Sequence, residues 1–179
     1  MMMKFDLYHY YERNQGPFKS LSALEIDEAE QILQKIRYNG DTFASKRSLD
    51  YIKIRKGLEN KAREAFIAKG GNPKKMYPHY MTLGECGWIK EWYRDGKEVK
   101  ISLAEFKEDN ISFTYGDLFP TMRYQDGKEY REQVYTKEEI MKLIEKYGLP
   151  QEWNKEGTYG PERYIEVQIW SNEVINKYV

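Results

Sequence analysis

The chain has few of the residues that staple, ligate or anchor a fold. Its 179 residues include one cysteine and two histidines. A lone Cys86 closes no internal disulfide. None is needed, because a chain of this length buries roughly 70% of its unfolded surface. That cysteine usage leads us to expect a reducing, cytoplasmic compartment. His79 and Cys86 match no ligand spacing, so no metal is expected. They carry no nucleophile signature either, and a cysteine is more often a small buried hydrophobe. No apolar run reaches the length of a membrane span, so no membrane partner is expected. The start, Met1-Met2-Met3-Lys4-Phe5-Asp6, lacks the apolar stretch of a signal peptide. Neither G-x-G-x-x-G nor G-x-x-x-x-G-K-[ST] occurs, which argues against Rossmann and P-loop nucleotide sites. Net charge is also missing: 29 basic residues face 29 acidic ones, which excludes a uniformly basic nucleic-acid binder.

What the chain does have is tyrosine, 16 residues of it. Tyrosine combines a broad apolar ring with a polar tip, and suits half-buried walls as well as ordinary strands. Phe5, Leu7 and His9 alternate with Asp6, Tyr8 and Tyr10, predicting a first strand. Ile26, Ala29, Leu33 and Ile36 recur at helical spacing. A longer helix is expected over 49–69, with Tyr51, Ile54, Leu58, Ala62 and Ala65 on one face and Gly70-Gly71 ending it. Trp88–Tyr93 and Val99–Leu103 read as strands joined at Asp95-Gly96, and Asp126-Gly127 as a second hairpin turn. Ile111–Tyr115 reads as another strand. Thr136 and Glu139 form a capping box for a helix closed by Gly148 and Pro150. Residues 148–162 make a loop rich in Gly, Pro and aromatics, long enough to be either disordered or functional. A last strand runs Arg163–Trp170. Together these predict one α+β domain over 1–179: an N-terminal strand and helices, then a mostly antiparallel sheet with one inserted helix.

The last strand carries the clearest chemical candidate. Ile165, Val167 and Ile169 share one face, and Tyr164, Glu166, Gln168 and Trp170 the other. A carboxylate between two aromatics suits a cleft that tunes its pKa, though Glu is equally at home on a solvated strand face. His9 lies on the side of Phe5 and Leu7, where a histidine is often a satisfied core residue. Ile111–Tyr115 runs into Gly116-Asp117-Leu118-Phe119-Pro120, an aromatic loop able to stack on a planar ligand or simply to pack.

In chain order these pieces resemble the ADP-ribosyltransferases. The segments concerned are Leu7-Tyr8-His9-Tyr10, then Ile111-Ser112-Phe113-Thr114-Tyr115 with Phe119-Pro120-Thr121-Met122, and finally Tyr164-Ile165-Glu166-Val167 after the 148–162 loop. The middle segment also resembles the NAD-pocket stretch of DNA-modifying toxins in that superfamily. The resemblance covers about a quarter of the chain in short motifs. It implies NAD as cofactor, with Glu166 as catalytic carboxylate on the reacting ribose. It further implies that His9 bonds a ribose hydroxyl, that Tyr115 or Phe113 stacks on nicotinamide, and that Arg47 or Arg55 meets the pyrophosphate. Tyr164 stands where many protein-modifying members carry a second Glu or Gln, which puts modification of arginine in doubt.

The neutral total hides a polarised chain. Residues 45–75 hold ten basic and three acidic side chains, +7, leaving −7 elsewhere. This basic helical segment fits either a solvated helix face or a footprint for nucleic acid or another phosphate-bearing partner. The alternative to an enzyme is thus a non-catalytic binding module using the basic helix and the aromatic stretches 77–93 and 148–162.

Overall fold

The computed structural model describes residues 4–19, 26–39 and 50–179. The α+β class holds: a five-stranded, wholly antiparallel sheet carries helices on both faces. Its strands are β1 (Asp6–Glu12), β2 (His79–Leu83), β3 (Gly96–Ser102), β4 (Ile111–Thr114) and β5 (Ile165–Ile169), in the spatial order β3-β1-β2-β5-β4.

Register sorts the side chains. Residues opposite one another across a ladder share a face, and neighbours along a strand alternate. Ile101, Leu7, Leu83 and Ile165 form one row across four strands, and Met81, Val167 and Phe113 form the next. That face is aliphatic and makes the main core, against which Ile140 and Ile144 of α5 (Lys137–Tyr147) pack. The opposite face reads Tyr8, Thr82, Glu166, Thr114 in one row and Tyr80, Gln168, Ser112 in the next. It is polar and nonetheless covered. Ala62 and Phe66 of α2 (Tyr51–Ala68) and Leu118 and Met122 of α4 (Leu118–Arg123) close over Trp170. The short α3 (Gly87–Lys90) packs Ile89 near Tyr10 and Tyr164. Outside α2 lies α1 (Ile26–Asn39), held through Ala29, Leu33 and Ile52. β5 is therefore buried on both faces, and the solvated side that a lone alternating strand allows is not there.

Three local expectations are corrected. Residues 88–93 are not a strand. Trp88 and Trp92 sit one helical turn apart, edge to face at 5.0 Å, and β1 pairs instead with β3 and with the unanticipated β2. Asp126-Gly127 makes no hairpin, because Asp126 accepts two bonds from Arg131, at 2.9 and 2.8 Å. The buried face of α2 is also rotated from the expected one. Ile52, Glu59, Ala62 and Phe66 point inward, because the Tyr80 hydroxyl donates to Glu59 Oε2 at 2.6 Å. The capping box forms as expected: Glu139 N donates to Thr136 Oγ1 and Thr136 N to Glu139 Oε1. Gly148 follows with a positive φ of 82°, a conformation that favours glycine.

The 148–162 loop is held in place. It opens with α6 (Pro150–Trp153), and Asn154 then ties it together by donating to the carbonyls of Gly160 and Glu162 while accepting from Tyr159 N. Glu162, itself buried, pairs with Arg131.

Because Phe66 is 1% exposed between α2, α4 and Trp170, Phe66→Ala is expected to cost about 3–5 kcal/mol. Loss of the Thr136 cap should cost about 1 kcal/mol. Urea unfolding should rank the two variants in that order.

Candidate active site

Glu166 is the second residue of β5, between β2 and β4, where both flanking ladders are made. It is 6% exposed, so its oxygens must find partners inside the protein. Oε1 accepts from Leu118 N and Gln168 Nε2, both at 3.3 Å. Oε2 lies 3.1 Å from the Tyr164 hydroxyl, which lies 3.1 Å from Asp117 Oδ2. Asp117 Oδ1 in turn accepts from Phe119 N and so begins α4. Asp117 is half-buried.

A second file of bonds holds Gln168. Trp170 Nε1 donates to Ser112 Oγ, and Ser112 donates to Gln168 Oε1. Gln168 Nε2 donates to Thr114 Oγ1 as well as to Glu166, while Thr114 donates onward to the carbonyl of Gly116. Each hydroxyl has one proton and each amide a fixed polarity, so the directions follow one from another. Their outcome is that Glu166 Oε1 is only an acceptor.

Burial, followed by the negative charge of Asp117, raises the Glu166 pKa well above the ordinary carboxylate value, against the donors on Oε1. Tyr164 is pushed up too, first by burial and then by the two carboxyl groups. Beside them, Glu59 accepts from Tyr80 and pairs with Arg55 at 3.6 Å, and the Arg55 guanidinium stands 5.5 Å from the Tyr80 ring. Burial lifts the Tyr80 hydroxyl well above its usual pKa, helped by the Glu59 charge. At the outer edge the rings of Tyr51 and Phe119 stack, 5.1 Å apart and 4° from parallel.

The residues expected to hold NAD are not gathered here. His9 shares its face with Leu7, opposite Glu166. Its Nδ1 donates to the Tyr80 carbonyl at 3.0 Å and its Nε2 accepts from Phe18 N at 2.8 Å, while its ring stacks on Phe18 at 4.1 Å. It thus pins the chain after β1, where Phe18 has a φ of 58°. Phe113 is wholly buried in the aliphatic core. Tyr115 is fully buried as well: its hydroxyl donates to the Gly148 carbonyl and accepts from Trp153 Nε1, anchoring the long loop. Arg55 does lie on the Glu166 side, engaged with Glu59. Arg47 is outside the described residues. The pocket that the ADP-ribosyltransferase resemblance implies is therefore represented by Glu166 and Arg55, with His9, Phe113 and Tyr115 across the sheet. Asp117 and Glu59 are the partners that sequence reasoning missed, and the hydroxyl bridge through Tyr164, already placed on the Glu166 face, went unread. Tyr164 shares the Glu166 face two residues away, and Asp117 stands in the Gly-Asp-Leu-Phe-Pro helix start. Both signals were visible, but nothing local joined them.

The cations of the basic segment are partly engaged within the fold. Arg55 faces Glu59, Arg63 donates to the carbonyls of Lys75 and Pro73, and Lys69 meets Glu139. Lys53, Lys61 and Lys74 are exposed. Among the described residues no group of three or more His, Cys, Asp or Glu is placed to hold a metal ion. No helix there is long and apolar enough to cross a membrane. Comparison with family models, curated proteins and solved structures found no match.

Burial lowers the His9 pKa from 6.5 to about 4, with the neighbouring His79 adding to the effect and the bond to the Tyr80 carbonyl opposing it. The folded state then stays neutral where the unfolded chain protonates. The stability His9 contributes is full above about pH 6.5 and is lost as pH falls toward 4, by about 3 kcal/mol at most. The urea midpoint of the native chain relative to His9→Asn should therefore rise with pH across that window.

Proposed function

We propose that the chain is an enzyme acting at a glycosidic bond, with Glu166 as its essential carboxylate. The observation that carries this is a buried carboxyl linked by one tyrosine hydroxyl to a second, half-buried carboxyl. A buried carboxyl whose proton is held tightly, beside a second carboxyl nearer the surface, supplies an acid and an anion at one place. Most glycoside hydrolases use such a pair to cleave through an oxocarbenium-like state, and loss of the already cationic nicotinamide of NAD needs only the anion. The stacked Tyr51 and Phe119 rings supply flat apolar surface beside the pair, of the kind that planar bases and sugar rings use. NAD-dependent ADP-ribosyl transfer, implied by the motif order, is the form of this chemistry to test first. Its nicotinamide and ribose contacts would have to come from groups other than His9, Phe113 and Tyr115. A cytoplasmic setting accords with the single buried cysteine.

A second reading is a binding module for nucleic acid or another phosphate-bearing partner. It draws on exposed Lys53, Lys61 and Lys74, and on Lys75, whose ammonium stands 4.3 Å over the Tyr77 ring. Binding that weakens steeply with salt and survives Glu166→Gln would favour it.

The decisive measurement is NAD consumption, paired with thermal stability in NAD. Ligand at 100 times its dissociation constant stabilises by about 2.7 kcal/mol. A rise in melting temperature with NAD, together with turnover that falls at least about 100-fold in Glu166→Gln, is the expected result. Turnover unaffected by that substitution removes Glu166 from the chemistry.

A further inference from the structure

We propose that Glu166, Tyr164 and Asp117 form one acid–base unit that holds a single shared proton and passes it between a buried and a half-buried carboxyl. The proposal rests on the glycosidic reading for its use, but the proton arrangement stands on geometry. The Tyr164 hydroxyl has one proton and lies 3.1 Å from an oxygen of each carboxyl. With both carboxyls ionised it could satisfy only one, leaving two negative oxygens facing each other across it. With one added proton both contacts become hydrogen bonds. The file from Trp170 through Ser112, Gln168 and Thr114 decides where that proton sits. It makes Glu166 Oε1 accept from Gln168 and from Leu118 N, so the proton belongs on Oε2. Glu166 Oε2–H then donates to Tyr164, and Tyr164 donates to Asp117.

The transfer is balanced. The Oε2–H bond of Glu166 breaks as a new O–H bond forms at Tyr164, and the original tyrosine proton moves to Asp117. Glu166 ends as a carboxylate, Asp117 as a carboxylic acid, and Tyr164 is unchanged except in direction. Asp117 is thereby either base or acid without exchange with bulk water. Gln168 is a positioning residue: it acts through Glu166 by fixing which oxygen carries the proton. Among the described residues, the groups facing Glu166 include Tyr80 of β2, with Glu59 and Arg55 of α2 behind it, and the neutral Thr82 and Thr114.

Two substitutions test this. In Asp117→Asn the side-chain oxygen still caps α4, while the amide donates to Tyr164 and turns its hydroxyl toward Glu166. That reversal, with loss of the Asp117 charge, favours ionised Glu166. In a chain labelled with carboxyl-13C glutamate, the resonance that disappears in Glu166→Gln identifies this residue. It should titrate well above the exposed glutamates in the native chain and lower in Asp117→Asn, by about one pH unit or more. The second test is stability. A folded-state pKa raised above 4.5 contributes stability that is full below that value and is lost as pH rises. Gln at 166 copies the protonated form, its amide donating to Tyr164. The urea midpoint of Glu166→Gln should therefore equal or exceed that of the native chain at pH 7, with the difference shrinking as pH falls to 4.5. Titration of Glu166 with the exposed glutamates, an unchanged midpoint in Asp117→Asn, or a Glu166→Gln midpoint below native at pH 7 would overturn the proposal. Turnover that survives Glu166→Gln would overturn the glycosidic reading and leave the shared proton standing.

Discussion

The structure turns on the double burial of β5. A strand with both faces covered must satisfy every polar atom it carries from within the protein, because no water replaces a missing partner. β5 nevertheless places Glu166 and Gln168 on its second face. Their partners come from three directions: Ser112 and Thr114 on the neighbouring strand, Leu118 N at the start of α4, and Tyr164 just before β5, with Trp170 just after β5 holding Ser112 in turn. Gln168 brings most of these together. The buried polar face is thus a single connected arrangement, and its protonation state is a condition of its fit.

The two faces of the sheet divide the work differently. The aliphatic face is ordinary core, and the aromatic groups that resembled a cofactor pocket belong to it. Phe113 fills space, Tyr115 ties down the long loop, and His9 pins the segment after β1. These residues appear in the order a nucleotide-binding fold would use. Order along a chain does not set which side of a pleat a side chain takes, however. His9 and Glu166 are separated by parity alone, since Tyr8, rather than His9, falls in the Glu166 row.

Much of the architecture was legible from periodicity. The alternation in β1, β4 and β5, the capping box at Thr136 and the glycine stop after α2 all act within a few residues, where propensity and turn chemistry decide. What escaped the sequence was set at a distance. β2 carries a continuous buried run, Met81-Thr82-Leu83, with no alternating exposure to announce it. Trp88–Tyr93 has strand-forming residues, but the sheet positions beside β1 are taken by β2 and β3. The inward turn of α2 depends on Tyr80 meeting Glu59, a pairing across 21 positions. Glu166 was picked out for its aromatic neighbours, Tyr164 among them, yet the link through Tyr164 to Asp117 spans 49 positions and nothing local announces it.

The mooring of α2 has a mechanical consequence. The helix is fixed along its own axis at two points, by Tyr80 on Glu59 and by Arg63 on the carbonyls of Pro73 and Lys75. A slide of one residue along the axis moves a side chain by about 1.5 Å and rotates it by about 100°, enough to break both. α2 therefore has no graded way to shift over the polar face. It is either seated with every tether made or lifted away with all of them released, which makes uncovering of that face a cooperative, two-position event.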